Sequence, residues 1–283
     1  MTPEEYAQNL QTDLTQIENQ AAQPLIIAAH QNHQNLTATL ASITALGTLT
    51  PRHTRRKQQN AALTTYATTL ATIQTATNQA AQTAATQSAT TTHHHLQNYT
   101  TQTLPQPTPP PKPEKIKITG LKTKITQIAT TIALGINLAT QNASRHTTKT
   151  TLTNSQIQTA GWQWVAQLDK RTCRSCIMHH GEKHMSGTLH SHPNCRCVMA
   201  PLLSQHSDIT ARNSGREWFD SLDFDSQVEA IAGVASSPQG MEVVRGLADG
   251  SIAWSDLSRR ARWYDGSMYW TQRNLSDILS RRK

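Results

Sequence analysis

The chain has 283 residues, four cysteines and a formal net charge of +8, enough for two ordinary domains or one domain with a long helical extension. Composition favours the extension. All six tryptophans lie at or after Trp162, both phenylalanines are Phe219 and Phe224, and the first hundred residues are dominated by Ala, Thr and Gln. No basic segment followed by an apolar core opens the chain, and no run reaches the roughly 18 apolar residues that span a bilayer. A cytosolic protein with no membrane partner is expected, and there closely spaced cysteines bind metal more often than they form disulfides.

Residues 1–103 are expected to form an Ala/Thr/Gln-rich helical arm. Tyr6, Leu10, Leu14 and Ile17 recur at helical spacing, as do Leu36, Leu40, Ile43 and Leu46, and Leu63, Tyr66, Leu70 and Ile73. Pro24 and Pro51 mark expected breaks or kinks. Such narrow stripes suit a coiled coil or a loose bundle, and they bury so little area that self-association or a partner is expected. Adjacent histidines on a helix point in different directions, so His93–His95 predict no shared metal site.

The proline run from Leu104 to Pro113 predicts a semi-rigid linker over 104–115. Around it, residues 101–155 carry seven basic groups and one acidic, including Lys112, Lys115, Lys117, Lys122 and Lys124. This stretch suits non-specific phosphate contacts with nucleic acid, or simply a solubilising face.

A core over 116–208 follows. Ile116 and Ile118 predict a short extended piece before Gly120, and Leu121, Ile125, Ile128 and Ile132 a helix towards Ala143. Trp162, Trp164, Ala166 and Leu168 alternate, which predicts a strand delivering Asp169 and the first cysteine pair. Val198 to Leu202 predict a second strand. The tail, 209–283, is expected to be helical and compact. Asp223 or Asp225 would cap a helix ended by Gly233, Ser237-Pro238 a helix ended near Gly250, and Ser255 a third helix through Leu257. The expected fold is thus mainly α with a small α+β zinc-knuckle core.

The chemistry concentrates between Trp162 and Pro201, where Cys173-x-x-Cys176 and Cys195-x-Cys197 are separated by eighteen residues rich in histidine. The x-x spacing lets two thiolates from one turn reach one ion, and C-x-C on an extended segment aims both side chains the same way. Zinc suits such ligands. Cys173, Cys176, His192, Cys195 and Cys197 are five candidates for four places: Cys173 and Cys176 with two of the other three.

Three enzyme patterns compete. Zinc deaminases place H-x-E before P-C-x-x-C, whereas His180-Gly-Glu182 follows the cysteine pair here. His190-Ser-His192-Pro193 resembles the H-x-H-P of zinc isopeptidases, but Leu202 and Leu203 stand where an aspartate is needed. An HNH-type nuclease would use His190 or His192 as base, without a convincing acidic metal ligand.

The run from Trp164 through Asp169, Arg171, Thr172, Cys173 and Cys176, then Gly181, then His192-Pro193-x-Cys195-Arg196-Cys197 and Pro201, resembles the phage Mu protein F-like family. These are the minor head, or head-morphogenesis, proteins of tailed bacteriophages. The helix from Leu121 and the segment Glu217–Leu222 with Gln227 match its layout, so the resemblance covers roughly Leu121 to Leu257. The chain departs from the family at Met178–Gly181, at His190, and in lacking its helix's arginine and glutamate. The resemblance implies a non-enzymatic virion protein, made in the host cytoplasm and present in few copies at the portal or capsid interior. It would act in procapsid assembly, DNA packaging or delivery, with portal, major capsid or scaffolding protein as partners, non-specific contact with packaged DNA, and a structural knuckle. Asp169 and Arg171 are candidates for a pair fixing the strand end, with ordinary surface charge as the alternative. A phage-encoded zinc-containing nuclease or toxin module carried in the head is the alternative function.

Overall fold

Thr2 and Glu5 start the first helix by capping one another: the Thr2 amide donates to Glu5 Oε2 (2.8 Å) and the Glu5 amide to Thr2 Oγ1 (3.1 Å). Pro3 fills the first helical position, where a missing N–H costs nothing. Helix α1 spans Pro3–Ala45, α2 Arg52–Thr100 and α3 Ile125–Asn154. The computed structural model describes residues 1–45, 50–118, 125–155, 157–169, 171–189, 191–192, 195–203, 214–262 and 266–282. The expectations placed on Leu46, Gly120, Leu121, Lys122 and Lys124 lie outside them.

Pro51 precedes α2 as expected, but Pro24 does not end α1. Its ring is exposed, while neighbouring Ala22, Leu25 and Ile26 pack inward, so core contacts on the opposite face offset one lost backbone hydrogen bond. The threonines are accommodated in a similarly local way. Thr37, Thr64, Thr68 and Thr130, among others, donate their hydroxyls to the carbonyl four residues back. Long helices of weak intrinsic propensity therefore persist by packing.

The chain divides into two compact units. One comprises Asp13–His93 and Pro107–Thr147, the other Met1–Thr12, His94–Gln106 and Thr148–Lys283. The first is helical, with a core of alanines and aliphatics that includes Tyr66, Leu70, Ile73, Ile128, Ile132 and Ile136. Beside this core runs a buried polar seam held by several hydrogen bonds. Ser88 Oγ donates to the Thr140 carbonyl (2.8 Å), Thr92 Oγ1 to Ser144 Oγ (2.9 Å), and Gln141 Nε2 to the Glu18 carboxylate (2.8 Å). Ile116 and Ile118 form no strand. Their amides donate to the side-chain carbonyls of Asn78 (2.8 Å) and Gln74 (3.2 Å) on α2.

In the second unit, β1 (Thr159–Val165) is the centre of an antiparallel sheet between β2 (Lys183–His184) and β3 (Val198–Leu203), with Trp162 opposite Pro201 and Trp164 opposite Met199. The expected alternation of β1 is absent, because every residue from Gly161 to Val165 is buried and only the Thr159–Ala160 end is accessible. The first turns of α1 supply one partner, since Gln163 Nε2 donates to Glu4 Oε1 (2.9 Å). Tyr6 stacks on Tyr99 at 4.8 Å, and Tyr99 Oη donates to the Pro201 carbonyl of β3 (2.7 Å). Residues read from the sequence as arm thus lie in the same compact unit as the sheet.

Helix α4 (Arg174–His179) lies between β1 and β2 in the chain, and after the sheet come α5 (Gly215–Asp220), α6 (Phe224–Ala232), α7 (Pro238–Asp249) and α8 (Leu275–Leu279). Asp223 caps α6, Gly233 ends it in the left-handed conformation, and Ser237-Pro238 open α7 ahead of Gly250, all as predicted. The expected helix capped by Ser255 is instead a single 3₁₀ turn, Trp254–Leu257, and a hairpin follows it, β4 (Ser258–Arg262) paired with β5 (Met268–Gln272). A strand reading Ser-Arg-Arg-Ala-Arg carries no apolar alternation, so tertiary contacts at Ser258 decide its conformation. The architecture is mainly helical with small antiparallel sheets, and no helix among the described residues is long and apolar enough to cross a membrane.

Ile177 of α4 inserts into the helical core formed by Phe219, Val228, Ile231, Val243 and Leu247. Gly215 permits that approach, because a methyl group there would collide with the Ile177 backbone carbonyl. Gly215→Ala should therefore destabilise the protein by about 3 kcal/mol through forced backbone displacement. Thermal or urea unfolding reads this, and a change below ~0.5 kcal/mol would show that the contact yields freely.

Candidate metal centre

Three residues past the end of β1, Leu168 adopts φ +51, a left-handed conformation that turns the backbone into Asp169. Asp169 then organises the turn that presents the cysteines. Its Oδ1 accepts from the Arg171 amide (2.8 Å) and the Thr172 hydroxyl (3.1 Å), and its own amide donates to Thr172 Oγ1 (3.0 Å). Cys173 follows as the N-cap of α4, its Sγ accepting from the Cys176 amide (3.4 Å). The C-x-x-C spacing is thereby one helical turn, with both sulfurs on the same side.

The expected pairing of Asp169 with Arg171 is not what forms. Arg171 contributes its backbone N–H, and the carboxylate instead takes both arms of Arg196, at 2.8 Å (Nη1 to Oδ2) and 2.5 Å (Nη2 to Oδ1). Partial burial raises the Asp169 pKa, but the Arg196 guanidinium outweighs it and holds the carboxyl below its ordinary range. Arg196 sits between Cys195 and Cys197, so this fork fixes the second cysteine pair against the turn that carries the first.

The structure brings four of the five predicted ligands around Cys176. Cys176 Sγ lies 3.2 Å from Cys173 Sγ, 3.5 Å from Cys195 Sγ and 3.4 Å from His192 Nε2, and His192 Nε2 is 2.9 Å from Cys173 Sγ. Cys176, Cys195 and Cys197 form a second close group, again with Cys176 as member. All four cysteines are free thiols, three of them buried. His190 and Pro193 lie outside the described residues.

A tetrahedral ion with metal–sulfur bonds near 2.3 Å places its thiolates about 3.8 Å apart, close to the separations seen here. Electrostatics points the same way. The Cys176 N–H and S–H groups, with help from His192 and against burial, bring the Cys173 pKa down to about 5. Cys176 and Cys197 are pushed up, the first mainly by neighbouring Cys173 and the second mainly by burial. One thiolate is favoured and further ones resist, because adjacent buried anions repel without a cation between them. The cavity bordered by Gln167, Thr172, Arg196 and these ligands is about 40 Å³. That admits an ion, and is far below the roughly 300 Å³ of a small-molecule site.

Around the centre, side chains that the sequence did not single out tie α4 to the tail. Arg174 donates to the Arg273 carbonyl (Nε 3.0 Å, Nη2 2.8 Å) and to the Ile231 carbonyl at the end of α6. Ser175 Oγ lies 2.6 Å from Ser258 Oγ. His179 Nδ1 meets Glu182 Oε2 at 2.7 Å, and its Nε2 lies 3.4 Å from Ser258 Oγ. This carboxylate–imidazole–hydroxyl string has the outline of a nucleophile relay. His179 and Ser258 are each only 2% exposed, however, and His179 packs against Trp164 (5.0 Å) and Trp270 (4.6 Å). It is a buried pin. His180 is equally internal, its Nδ1 accepting from the Ala166 amide at 3.0 Å. Gly181, at φ +90, makes the turn into β2 that lets its amide donate to the Trp164 carbonyl (2.8 Å). The sequence signal for this pair is Arg196 itself: a long cation between two cysteines calls for a carboxylate, and Asp169 is the nearest acid before the first pair.

No protein-family model, curated protein or solved structure matches this chain.

Proposed function

We propose that this chain is a minor head protein of a tailed bacteriophage, built on a structural zinc knuckle. The observation that carries the reading is the mutual dependence of the motif Asp-x-Arg-Thr-Cys-x-x-Cys…His-Pro-x-Cys-Arg-Cys. Asp169 sets the turn before Cys173 and also grips Arg196 between the second pair. The motif's polar residues thus serve the geometry of one ion-sized site, and zinc suits its mixed thiolate and imidazole donors. His192 turns Nε2 toward the thiols, which favours a ligand role over that of a base. Four ligands drawn from Cys173, Cys176, His192, Cys195 and Cys197 would close the site. The zinc would hold the short α4–β2 segment to the Cys195–Cys197 segment.

The helical unit, with its alanine-rich core and polar seam, suits assembly with portal, scaffold or other copies of the chain. The lysines of 112–117 suit non-specific contact with packaged DNA. Peptide mass spectrometry on purified, nuclease-treated particles, scaled to the major capsid protein, tests the assignment. A few to tens of copies per head are expected. Absence from both mature heads and procapsids would overturn it, and metal-dependent DNA cleavage by the purified chain, lost in His192→Ala, would put a nuclease in its place.

A further inference from the structure

The last twenty-six residues, Ser258 to Lys283, carry seven basic groups against two acidic. Several of those cations are consumed within the fold. Arg273 donates to the carbonyls of Asp256 and Ser258, Arg281 pairs with Asp256 (3.6 Å) and Arg282 with Asp249 (3.2 Å). Three are not. Arg259, Arg260 and Arg262 on β4 are exposed, and among the described residues none of them forms an ion pair.

The register of the hairpin decides where they point. Arg260 stands opposite Trp270 and Arg262 opposite Met268, on the face that also carries Ser258. Arg259 stands opposite Thr271 on the other face. The ribbon is therefore cationic on both sides. On one side Arg260 is exposed and its guanidinium lies over the Trp270 ring at 4.9 Å, which holds it in place. The base of the ribbon is anchored: Ser258 is held by Ser175 and His179, Trp270 packs on His179, and Arg174 binds the carbonyl of Arg273 just after β5.

Three exposed guanidiniums that meet no carboxylate among the described residues give the ribbon a local positive potential, which draws anions to it. A two-stranded ribbon fits the major groove of a duplex, where phosphates line both walls, and a ribbon cationic on both faces complements both. An acidic protein surface would meet one face only. We infer that the β4–β5 hairpin is a sequence-independent binding surface for the phosphate backbone of double-stranded DNA, with Arg259, Arg260 and Arg262 as its contacts. This stands on the hairpin geometry and extends the head-protein reading without requiring it. The test uses purified protein, so either can fail alone.

The experiment is fluorescence anisotropy of the full chain with a 30-bp duplex of random sequence, between 50 and 300 mM salt. Among the described residues neither Arg259 nor Arg262 forms a side-chain hydrogen bond or ion pair, so the double variant Arg259→Gln/Arg262→Gln should keep the wild-type melting temperature. It should lower the slope of log affinity against log salt by about 2 and weaken binding at least ~10-fold at the lowest salt. Lys112→Gln/Lys115→Gln/Lys117→Gln should leave most of the slope in place. The inference is overturned by absence of duplex binding in the wild type or by an unchanged slope in the arginine variant. Binding lost wholly with the lysines, or a polyglutamate peptide competing as well as DNA, would also overturn it.

Discussion

Cys176→Ser is expected to cost on the order of 4 kcal/mol or more, lower Tm by roughly 10 °C and remove most of the bound metal. Cys176 is the one residue common to both close groups of potential ligands, and it is buried within 3.5 Å of Cys173, His192 and Cys195. Serine there deletes a soft donor and leaves a hydroxyl among thiols that need a cation between them. Metal content by elemental analysis, with melting curves before and after chelation, reads the effect. The same measurements on Cys173→Ser, His192→Ala, Cys195→Ser and Cys197→Ser identify the spare fifth candidate as the variant that keeps one equivalent. A Cys176→Ser protein with full metal content and wild-type melting would remove Cys176 from the ligand set.

Breaking the Asp169–Arg196 fork is expected to have the next largest effect. The Arg196 side chain is 9% exposed and that of Asp169 36%, so Asp169→Ala strands a largely buried guanidinium while its own removal is partly screened. A loss of about 2 kcal/mol is expected, together with metal affinity weakened about 10- to 100-fold, since the fork positions Cys195 and Cys197. Arg196→Ala should do the same, and the double variant should lose little more than either single one, which a double-mutant cycle measures. Strict additivity would show that the two residues act separately. The pH dependence has a definite sign. Because the folded-state pKa of Asp169 is lowered, its contribution is fully present above the ordinary carboxylate pKa near 4 and is lost as pH falls through the lowered value. Asp169→Asn should flatten that acid limb while leaving the neutral range level.

Local signals were legible wherever a residue acts on its immediate neighbours. The caps at Asp223 and Ser237-Pro238, the helix ends at Gly233 and Gly250, the break at Pro51 and the two cysteine pairs are read within a few positions of the chain. The stripes through Tyr6, Leu10 and Leu14, and through Tyr66, Leu70 and Ile73, do face cores. Where the sequence misled, a distant partner intervened. Pro24 sits in a continuous helix because its neighbours are packed. Trp162 to Val165 is buried on both faces because α1 and the Tyr99 end of α2 cover the strand. The Arg-rich β4 is a strand because Ser258 is anchored to α4.

By itself the sequence determined a mainly helical chain, a cysteine and histidine block of ion-binding type, and its local caps, since spacing, capping and turn chemistry act over a handful of residues. Only the tertiary structure decided that Asp169 answers Arg196 rather than Arg171, that Cys176 is the hub of the cluster, and that three arginines stand exposed on a ribbon. Those outcomes depend on which side chains meet across tens of residues, and charge pairing and burial at that range are set by packing rather than by any local pattern.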